Sequence, residues 1–284
     1  MTLGMLYDQV RYEEKRLIDT AKQRELQFHT VDAKEVNIDL TDPNDKLGFD
    51  EVVLQRCVSY FRSLHLTAVL ESKGVKVINS FEITKTCGNK LLTTLLLSKA
   101  GIPTPKTMVA FTPETALQTL NEIGYPAILK PVIGSWGRMV APLKDAETAR
   151  AILEEREYMF PLYQVYYIQE MVKRPPRDIR VILVGDEIVA GIYRYAPSND
   201  WRTNVARGGR AEKCQITKEL EEICFKVTKV VGEGVLGIDL MESPEGLLVH
   251  EVNHTPEFRG AETATGIDIA DKILSYALTW VKSR

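Results

Sequence analysis

Over its first 85 residues the chain alternates short apolar runs with helix-patterned stretches. "LGMLYD" is followed by Tyr12 to Arg24, with Leu17, Ile18 and Ala21 on one face, then by "EVVLQR", a helical stretch near Ser63 to Ser72, and "KVINS". Strands linked through helices pair in parallel, so this alternation restricts the region to a parallel sheet with helices on its faces. The region contains no G-x-G-x-x-G, and a dinucleotide-binding version of such a sheet is therefore not supported.

Beyond residue 86 the pattern changes. "CGNKLLTTLLLSKAGIPTP" predicts a helix stopped by Gly101 and Pro103, with Leu91, Leu92, Leu95 and Leu96 as its apolar stripe. Lys90 falls in its first turn, where the helix dipole disfavours a cation, which points to a ligand or to solvent. Tyr125 to Val172 reads as a strand, a glycine loop, the strand "MVAPL", a helix from Ala146 to Arg156 and the strand "VYYIQEMV", a compact α+β unit. From Asp178 the pattern is antiparallel, since "IRVILVGDEIVAGIYRY" is two apolar strands about Gly185-Asp186. The arginine-rich segment "SNDWRTNVARGGRAEKC", which holds Trp201, reads as a functional loop. After a helix from Lys218 to Val231, "VLGIDLM" and "GLLVHEVN" form a second hairpin across Ser243-Pro244-Glu245-Gly246, and an amphipathic helix follows from Ile269 to Lys282.

The charge balance narrows the possible partners. With 36 lysines and arginines against 39 aspartates and glutamates, the 284-residue chain carries a formal charge of −3, which excludes a whole-surface affinity for nucleic acid or anionic membrane. Any basic site must be local, and Lys173, Arg174, Arg177 and Arg180 are the candidate for one, either as a partner surface or as a solvated turn. No apolar run approaches the ~20 residues that span a bilayer, and "MTLGMLYDQVRYEEKR" lacks a signal-peptide core, so the chain reads as cytoplasmic. Cys57, Cys87, Cys214 and Cys224 form no C-x-x-C pair and read as buried or incidental thiols. His29, His65, His250 and His254 show no metal-ligand spacing.

The chemistry concentrates in the second hairpin. Glu251 and Asn253 are two apart on one strand and project from the same face, and Asp239 lies opposite Glu251 if the turn is symmetric. Three oxygen ligands on one sheet face suit a hard cation such as Mg²⁺, which takes few protein ligands and completes its shell with phosphate and water. A solvated sheet face is the other reading. Ile238, Leu248, Val249 and Val252 weaken it, because they leave the acids as exceptions inside apolar strands. Earlier, in "AILKPVIGSWGR", Lys130 precedes Gly134 and Gly137, and no Gly-Lys-Ser/Thr follows, so this is not a P-loop.

That order of parts resembles the ATP-grasp superfamily, in which one lysine precedes the central unit, a second lies on its first strand, a glycine flap covers the phosphates, a hinge meets adenine, and Asp and Glu-x-Asn hold magnesium. "KPVIGSWGR", "RDIR", "IYR", "NVARGG" and "LLVHEVNHTPEF" resemble the branch that holds the RimK glutamylase and the amino-group-carrier ligases of the LysX and ArgX types. "LQRCVS" and "YIQEMVKRPPRDIR" are most similar to the LysX type. The resemblance implies an ATP-grasp fold, mixed α/β and α+β. Its parts would be an N-terminal Rossmann-like, pre-ATP-grasp parallel-sheet domain over 1–86, a helical connection over 87–124, a central α+β lid over 125–172 and a C-terminal antiparallel-sheet domain over 173–284.

Residue by residue, the resemblance implies that Lys90 and Lys130 contact the phosphates of ATP under a flap of Gly134, Ser135, Trp136, Gly137 and Arg138. Gln169, Glu170, Met171 and Val172 would line the adenine and ribose pocket, with Asp178 and Arg180 also at the nucleotide. Arg194, Asn204 and Arg207 would serve phosphate transfer, and Asp239, Glu251 and Asn253 would bind two Mg²⁺ ions. Arg202, Arg210 and Arg259 fit a surface role equally well, and Trp136 and Trp201 fit simple packing. The implied activity is ADP-forming ligation of an amino acid, α-aminoadipate or glutamate, to the C-terminal glutamate of a small acidic carrier protein (LysW-like), by a homodimer or homotetramer. In "EFRGAET" the pair Gly260-Ala261 stands where the aminoadipate type has Asn and a small residue and the glutamate type has Gly-Phe, so it matches neither pattern. A RimK-like protein glutamylase and an ATP-binding scaffold without turnover are the alternatives.

Overall fold

The computed structural model describes residues 2–197 and 209–282, so the expectations for Trp201, Arg202, Asn204 and Arg207 lie outside the described residues. The N-terminal sheet is built from β1 (Thr2–Tyr7), α1 (Tyr12–Gln23), β2 (Gln27–Asp32), β3 (Val52–Gln55), α2 (Tyr60–Ser72) and β4 (Lys76–Ile78). Its strands are parallel in the order β2-β1-β3-β4. β2 carries no apolar run to announce it, because "QFHTVD" is an edge strand that is partly exposed along its length. α2 starts three residues before the pattern predicts, since Ser59 accepts the backbone N–H of Arg62 and caps the helix there.

α3 (Phe81–Cys87) and α4 (Lys90–Lys99) follow. The side chain of Asn89 accepts from the N–H groups of Leu91 and Leu92, which makes Lys90 the first helical residue and points its side chain away from the helix core. The expected leucine stripe is displaced. Thr93 and Leu97 are the buried positions and Leu95 is 60% exposed, because the Thr93 hydroxyl donates to the Thr86 carbonyl and turns that face onto α3.

β5 (Thr107–Ala110), α5 (Pro113–Ile123), β6 (Ala127–Lys130), β7 (Ala141–Leu143), α6 (Ala146–Glu157) and β8 (Tyr166–Glu170) form an antiparallel sheet in the order β5-β8-β6-β7, backed by Ala116 and Leu120 of α5 and Ala149 and Leu153 of α6. Residues 87–124 are thus more than a helical connection. β5 pairs Thr107 with Gln169 and Ala110 with Tyr166, so the central sheet recruits a strand from ahead of residue 125.

The third sheet holds β9 (Arg177–Gly185), β10 (Glu187–Tyr195), β11 (Arg210–Lys213), β12 (Gly234–Ser243) and β13 (Gly246–Asn253), in the order β11-β10-β9-β12-β13. Its helices are α7 (Lys218–Val231), α8 (Arg259–Thr265) and α9 (Ile269–Lys282). Both predicted hairpins are present. At Gly185 the backbone has φ +62°, and an added Cβ would sit 2.7 Å from the Tyr276 ring, so the turn needs glycine on both counts.

Alternate residues of β9 face opposite ways. Val181 and Leu183 pack under α7 with Leu220, Cys224 and Val227, whereas Ile182 and Val184 pack under α9 with Ile273, Leu274 and Ala277. The second of these clusters continues through Leu3, Met5, Leu17 and Leu54, so one core joins the N-terminal sheet to the antiparallel one. Each such fully buried aliphatic side chain contributes about 1.5–3 kcal/mol, which fixes the relative position of the walls between which the site lies. All four cysteines are free and buried. Among the described residues no helix is long and apolar enough to cross a membrane.

Candidate active site

A cleft of about 960 Å³ opens where the three sheets meet. Its floor is the β12–β13 hairpin. The strands pair Asp239 with Glu251 and Gly237 with Asn253, though not through a symmetric turn: continuing the Ser243–Gly246 register would set Asp239 opposite His250, and a bulge between Val249 and Glu251 shifts the pairing by one residue. Asn253 Nδ2 lies 3.4 Å from Asp239 Oδ2. Beside it, β9 places Arg180 level with Asp239, and β10 places Arg194 level with Asp178. Arg180 donates twice to Asp239 at 2.7 Å. Arg194 donates twice to Asp178, at 2.7 and 2.8 Å, and its Nη2 is 3.0 Å from Asp239 Oδ2. Burial pushes the Asp239 carboxyl up, but Arg180 and Arg194 outweigh it and hold the group well below the usual carboxylate range. Burial likewise lowers Arg194, and the two aspartates reverse that, so its guanidinium is raised and stays charged.

Two lysines close the other side. Lys90 Nζ donates to the Gly134 carbonyl at 2.7 Å and lies 3.2 Å from Glu251 Oε1, tying the glycine loop to the floor. Burial raises Glu251, and Lys90 more than offsets this, so its carboxyl is held low. Lys130 is buried at the end of β6, and its Nζ donates to Gln169 Oε1 at 2.5 Å. Burial brings the Lys130 ammonium down to about 8, against an opposing pull from Glu251. Lys130 also pushes down His250, which burial has already lowered, to about 4.

The expected adenine-pocket residues are placed differently. Gln169 is 2% exposed, and its amide also donates to Thr107 Oγ1 at 3.0 Å, so this residue orients Lys130 from behind and does not face the cleft. Glu170 Oε1 accepts from the Lys106 N–H at 2.7 Å, which locks β8 to the start of β5. Neither these two nor Met171 and Val172 border the cleft, whereas Arg174 does. The expected basic surface is also corrected. Arg177 donates to both oxygens of Glu242, at 2.7 and 2.8 Å, and Arg180 is spent on Asp239, so two of its four cations are neutralised inside the sheet.

The glycine loop arches over these groups. Gly134 and Gly137 take φ of 154° and 63°, and Trp136 and Met139 adopt positive φ without being glycine, a conformation that costs free energy and requires something to hold it. Trp136 supplies part of that hold. Its Nε1 donates to Glu257 Oε1 at 2.9 Å across the cleft, and the Arg138 guanidinium lies 4.8 Å from the centre of its ring. The indole is a bridge and not packing. Ser135, Trp136, Gly137, Arg138, Gly260 and Ala261 all border the cleft, but Ala261 is 1% exposed and shares the core with Phe258, so only part of its surface is available to a substrate. Sequence reasoning missed Glu257, Gln169 as a lysine holder, and His250. All three lie inside quoted motifs, but their roles depend on partners far away in the chain or on strand register, which no local pattern reports.

The donors suit magnesium. Among the described residues no three His, Cys, Asp or Glu side chains gather at one point, so Asp239 and Glu251, with the Asn253 amide, make a hard oxygen set that must be completed from outside. An ion arriving with nucleotide phosphates would complete it.

The comparisons with known proteins show the family. A family model described as the RimK-like ATP-grasp domain matches residues 87–277, and one described as the LysX preATP-grasp domain matches 3–86. The chain is a RimK-like ATP-grasp ligase. It is 40% identical to an alpha-aminoadipate–LysW ligase LysX of Sulfurisphaera tokodaii, over 99% of this chain and 100% of the relative. It is 36% identical to a glutamate–LysW ligase ArgX of Sulfolobus acidocaldarius, over 97% and 98%. The crystal structure of a RimK domain ATP-grasp protein from Sphaerobacter thermophilus superposes with a TM-score of 0.78, 22% identity and coverage of 98% and 100%, which shows the shared ATP-grasp fold. ATP-grasp ligases use ATP and Mg²⁺, and in this ligase the lysines, the glycine loop and the acid-bearing hairpin face one another across a single cleft.

Proposed function

We propose that this ligase joins the amino group of α-aminoadipate to the C-terminal glutamate side chain of a small acidic carrier protein of the LysW type. The observation that carries the reading is the full-length 40% identity to an alpha-aminoadipate–LysW ligase, against 36% for a glutamate–LysW ligase. The carrier carboxylate attacks the γ-phosphorus of ATP and displaces ADP. The amine then attacks the acyl phosphate, phosphate leaves, and an amide with one proton released to solvent remains. Lys90 and Lys130 hold the phosphates, Arg194 and Arg180 stabilise charge at the transferring group, and the Gly134–Arg138 loop excludes water from the acyl phosphate. Asp239, Glu251 and Asn253 would hold the magnesium, whose contribution when bound is positive charge on the phosphate oxygens.

Ala261 is small, which supports the longer amino acid, because the glutamate pattern puts a phenylalanine there. One methylene discriminates by only ~1–3 kcal/mol, so glutamate should be a measurable second substrate. The test is ADP release and carrier mass with purified carrier and a panel of amino acids. α-Aminoadipate should be preferred and should add once. A strong preference for glutamate would assign the arginine-type reaction instead, repeated additions would make the protein a glutamylase, and no ADP release would leave an ATP-binding scaffold.

A further inference from the structure

The glycine loop is held at three points, and the third is made by a residue outside the cleft. Lys90 holds the Gly134 carbonyl at one end, and the Trp136 indole ties the middle to Glu257. At the far end Met139 takes φ +57°, and its carbonyl accepts from Nη2 of Arg156. Arg156 lies in the last turn of α6, is 4% exposed and does not border the cleft. Among the described residues its guanidinium makes no ion pair, and its partners are that carbonyl and the ring of Tyr163, whose centre is 5.7 Å away. Burial pushes the guanidinium down from its ordinary value, with Tyr163, Glu155 and Tyr166 opposing. A cation taken out of water is ordinarily matched by a carboxylate, because it loses its hydration. Here the interior keeps one for a single backbone oxygen.

That oxygen belongs to a residue whose backbone needs holding. In the left-handed region the Cβ of Met139 crowds its own following carbonyl, a strain that glycine escapes. A charge-assisted bond to this carbonyl fixes its direction, and with it the angle at which the chain leaves the loop for β7. Packing does not do the same work, because a cavity of about 300 Å³, bordered by Asp8, Ser59, Met139 and Tyr163, lies beside the loop. Resting on the reading that the loop covers the phosphates of ATP, we propose that Arg156 is a positioning residue for that cover. From inside the lid it holds the Met139 carbonyl, keeps the backbone there left-handed and makes the loop move with the lid. The other two anchors face the cleft, one of them a lysine that phosphate would recruit, whereas the bond from Arg156 persists while ATP enters and leaves.

The test uses the full chain as wild type, Arg156→Met and Arg156→Lys. Trypsin cleaves after the exposed Arg138, next to the held carbonyl, so cleavage there, identified by mass and compared with cleavage elsewhere in the chain, reports where the loop is. With Mg²⁺ and a non-hydrolysable ATP analogue at saturation, Arg156→Met should be cut after Arg138 roughly 5–10-fold faster than the wild type. Its calorimetric affinity for the analogue should be roughly 3–10-fold weaker. Arg156→Lys, which keeps a charged donor without the fork, should fall between the two. A lower melting temperature with wild-type cleavage after Arg138 and wild-type affinity would make Arg156 a support of the lid alone and overturn the inference. Should Arg156→Met not fold, Arg156→Lys decides, and cleavage after Arg138 at the wild-type rate overturns it. An analogue that fails to bind the wild type would instead overturn the ATP reading, and none of these measurements needs carrier or amino acid.

Discussion

The ligase buries two networks of arginine and carboxylate, and they behave differently. Behind the cleft, Glu14 is fully buried and accepts from Arg56 Nε at 3.1 Å, from Arg11 Nη2 at 2.8 Å and from the Arg11 N–H at 3.0 Å, while Arg56 Nη2 reaches the Pro256 carbonyl at 3.3 Å. Neither Glu14 nor Arg56 borders the cleft. In the cleft floor, Asp178, Arg194, Asp239 and Arg180 form a comparable chain that does border it and ends beside Glu251 and Asn253. The first network reaches the cleft only through Arg11, and its buried Glu14–Arg56 pair is closed and ties α1 to the segment before α8. The second is open to a ligand on one side, with Arg180 and Arg194 holding the Asp239 carboxylate ionised. The same chemistry is structural or functional according to whether its last polar face meets backbone or a cavity.

If that contrast is right, the two networks answer to different measurements. The largest expected effect is on the open side, where Glu251→Gln removes charge from the ligand face and should lower ligation by about 10²–10³-fold with the melting temperature nearly unchanged. Near-normal turnover in the folded variant would remove Glu251 from the metal site. On the closed side, Arg56→Met leaves the buried Glu14 with Arg11 as its one charged partner and should cost up to about 3 kcal/mol in urea denaturation, while ligation per folded molecule stays close to wild type. A variant that is stable but inactive would erase the distinction.

Lys130→Met should come next, weakening ATP binding by roughly 10-fold or more, since the lost ammonium faces phosphate charge in a partly dehydrated site. The same group has a pH signature. Its ammonium is lowered from 10.5 to about 8, so between those values the folded state holds fewer protons than the unfolded one and this group's contribution to stability rises with pH. Its positive charge in the free enzyme is meanwhile lost as pH rises through about 8. ATP affinity should therefore decline above pH 8 in the wild type and show no such step in Lys130→Met, as titration at several pH values would reveal. The smallest effect is expected for Trp136→Phe, which removes the bond to Glu257 that holds the loop across the cleft. ADP released per amide formed should rise by roughly 2–5-fold as water reaches the acyl phosphate. Unaltered coupling would reduce Trp136 to packing.

Much of this architecture was legible along the chain because its signals are local. The hydrophobic period marks the strands and helices, Gly185 and Gly246 mark the turns, and the shared face of Glu251 and Asn253 follows once the strand is recognised, whereas the pairing of Asp239 with Glu251 needs the bulge. What depends on distant partners was not legible. β2 and β5 are strands because β1 and β8 pair with them, and α4 turns Thr93 inward because α3 offers a carbonyl. Gln169 is an anchor for Lys130 because β6 and β8 are neighbours, and four cations in sequence do not make a basic surface once two of them meet Glu242 and Asp239. The bulge at His250 is the clearest case. The alternation of side chains along β13 predicts that His250 points away from the acids, and only its pairing with β12, in which two residues oppose one, turns it toward them. Periodicity reports which residues share a face of an isolated element, whereas register, bulges and charge partners are properties of the contact between elements, and only the folded chain possesses those.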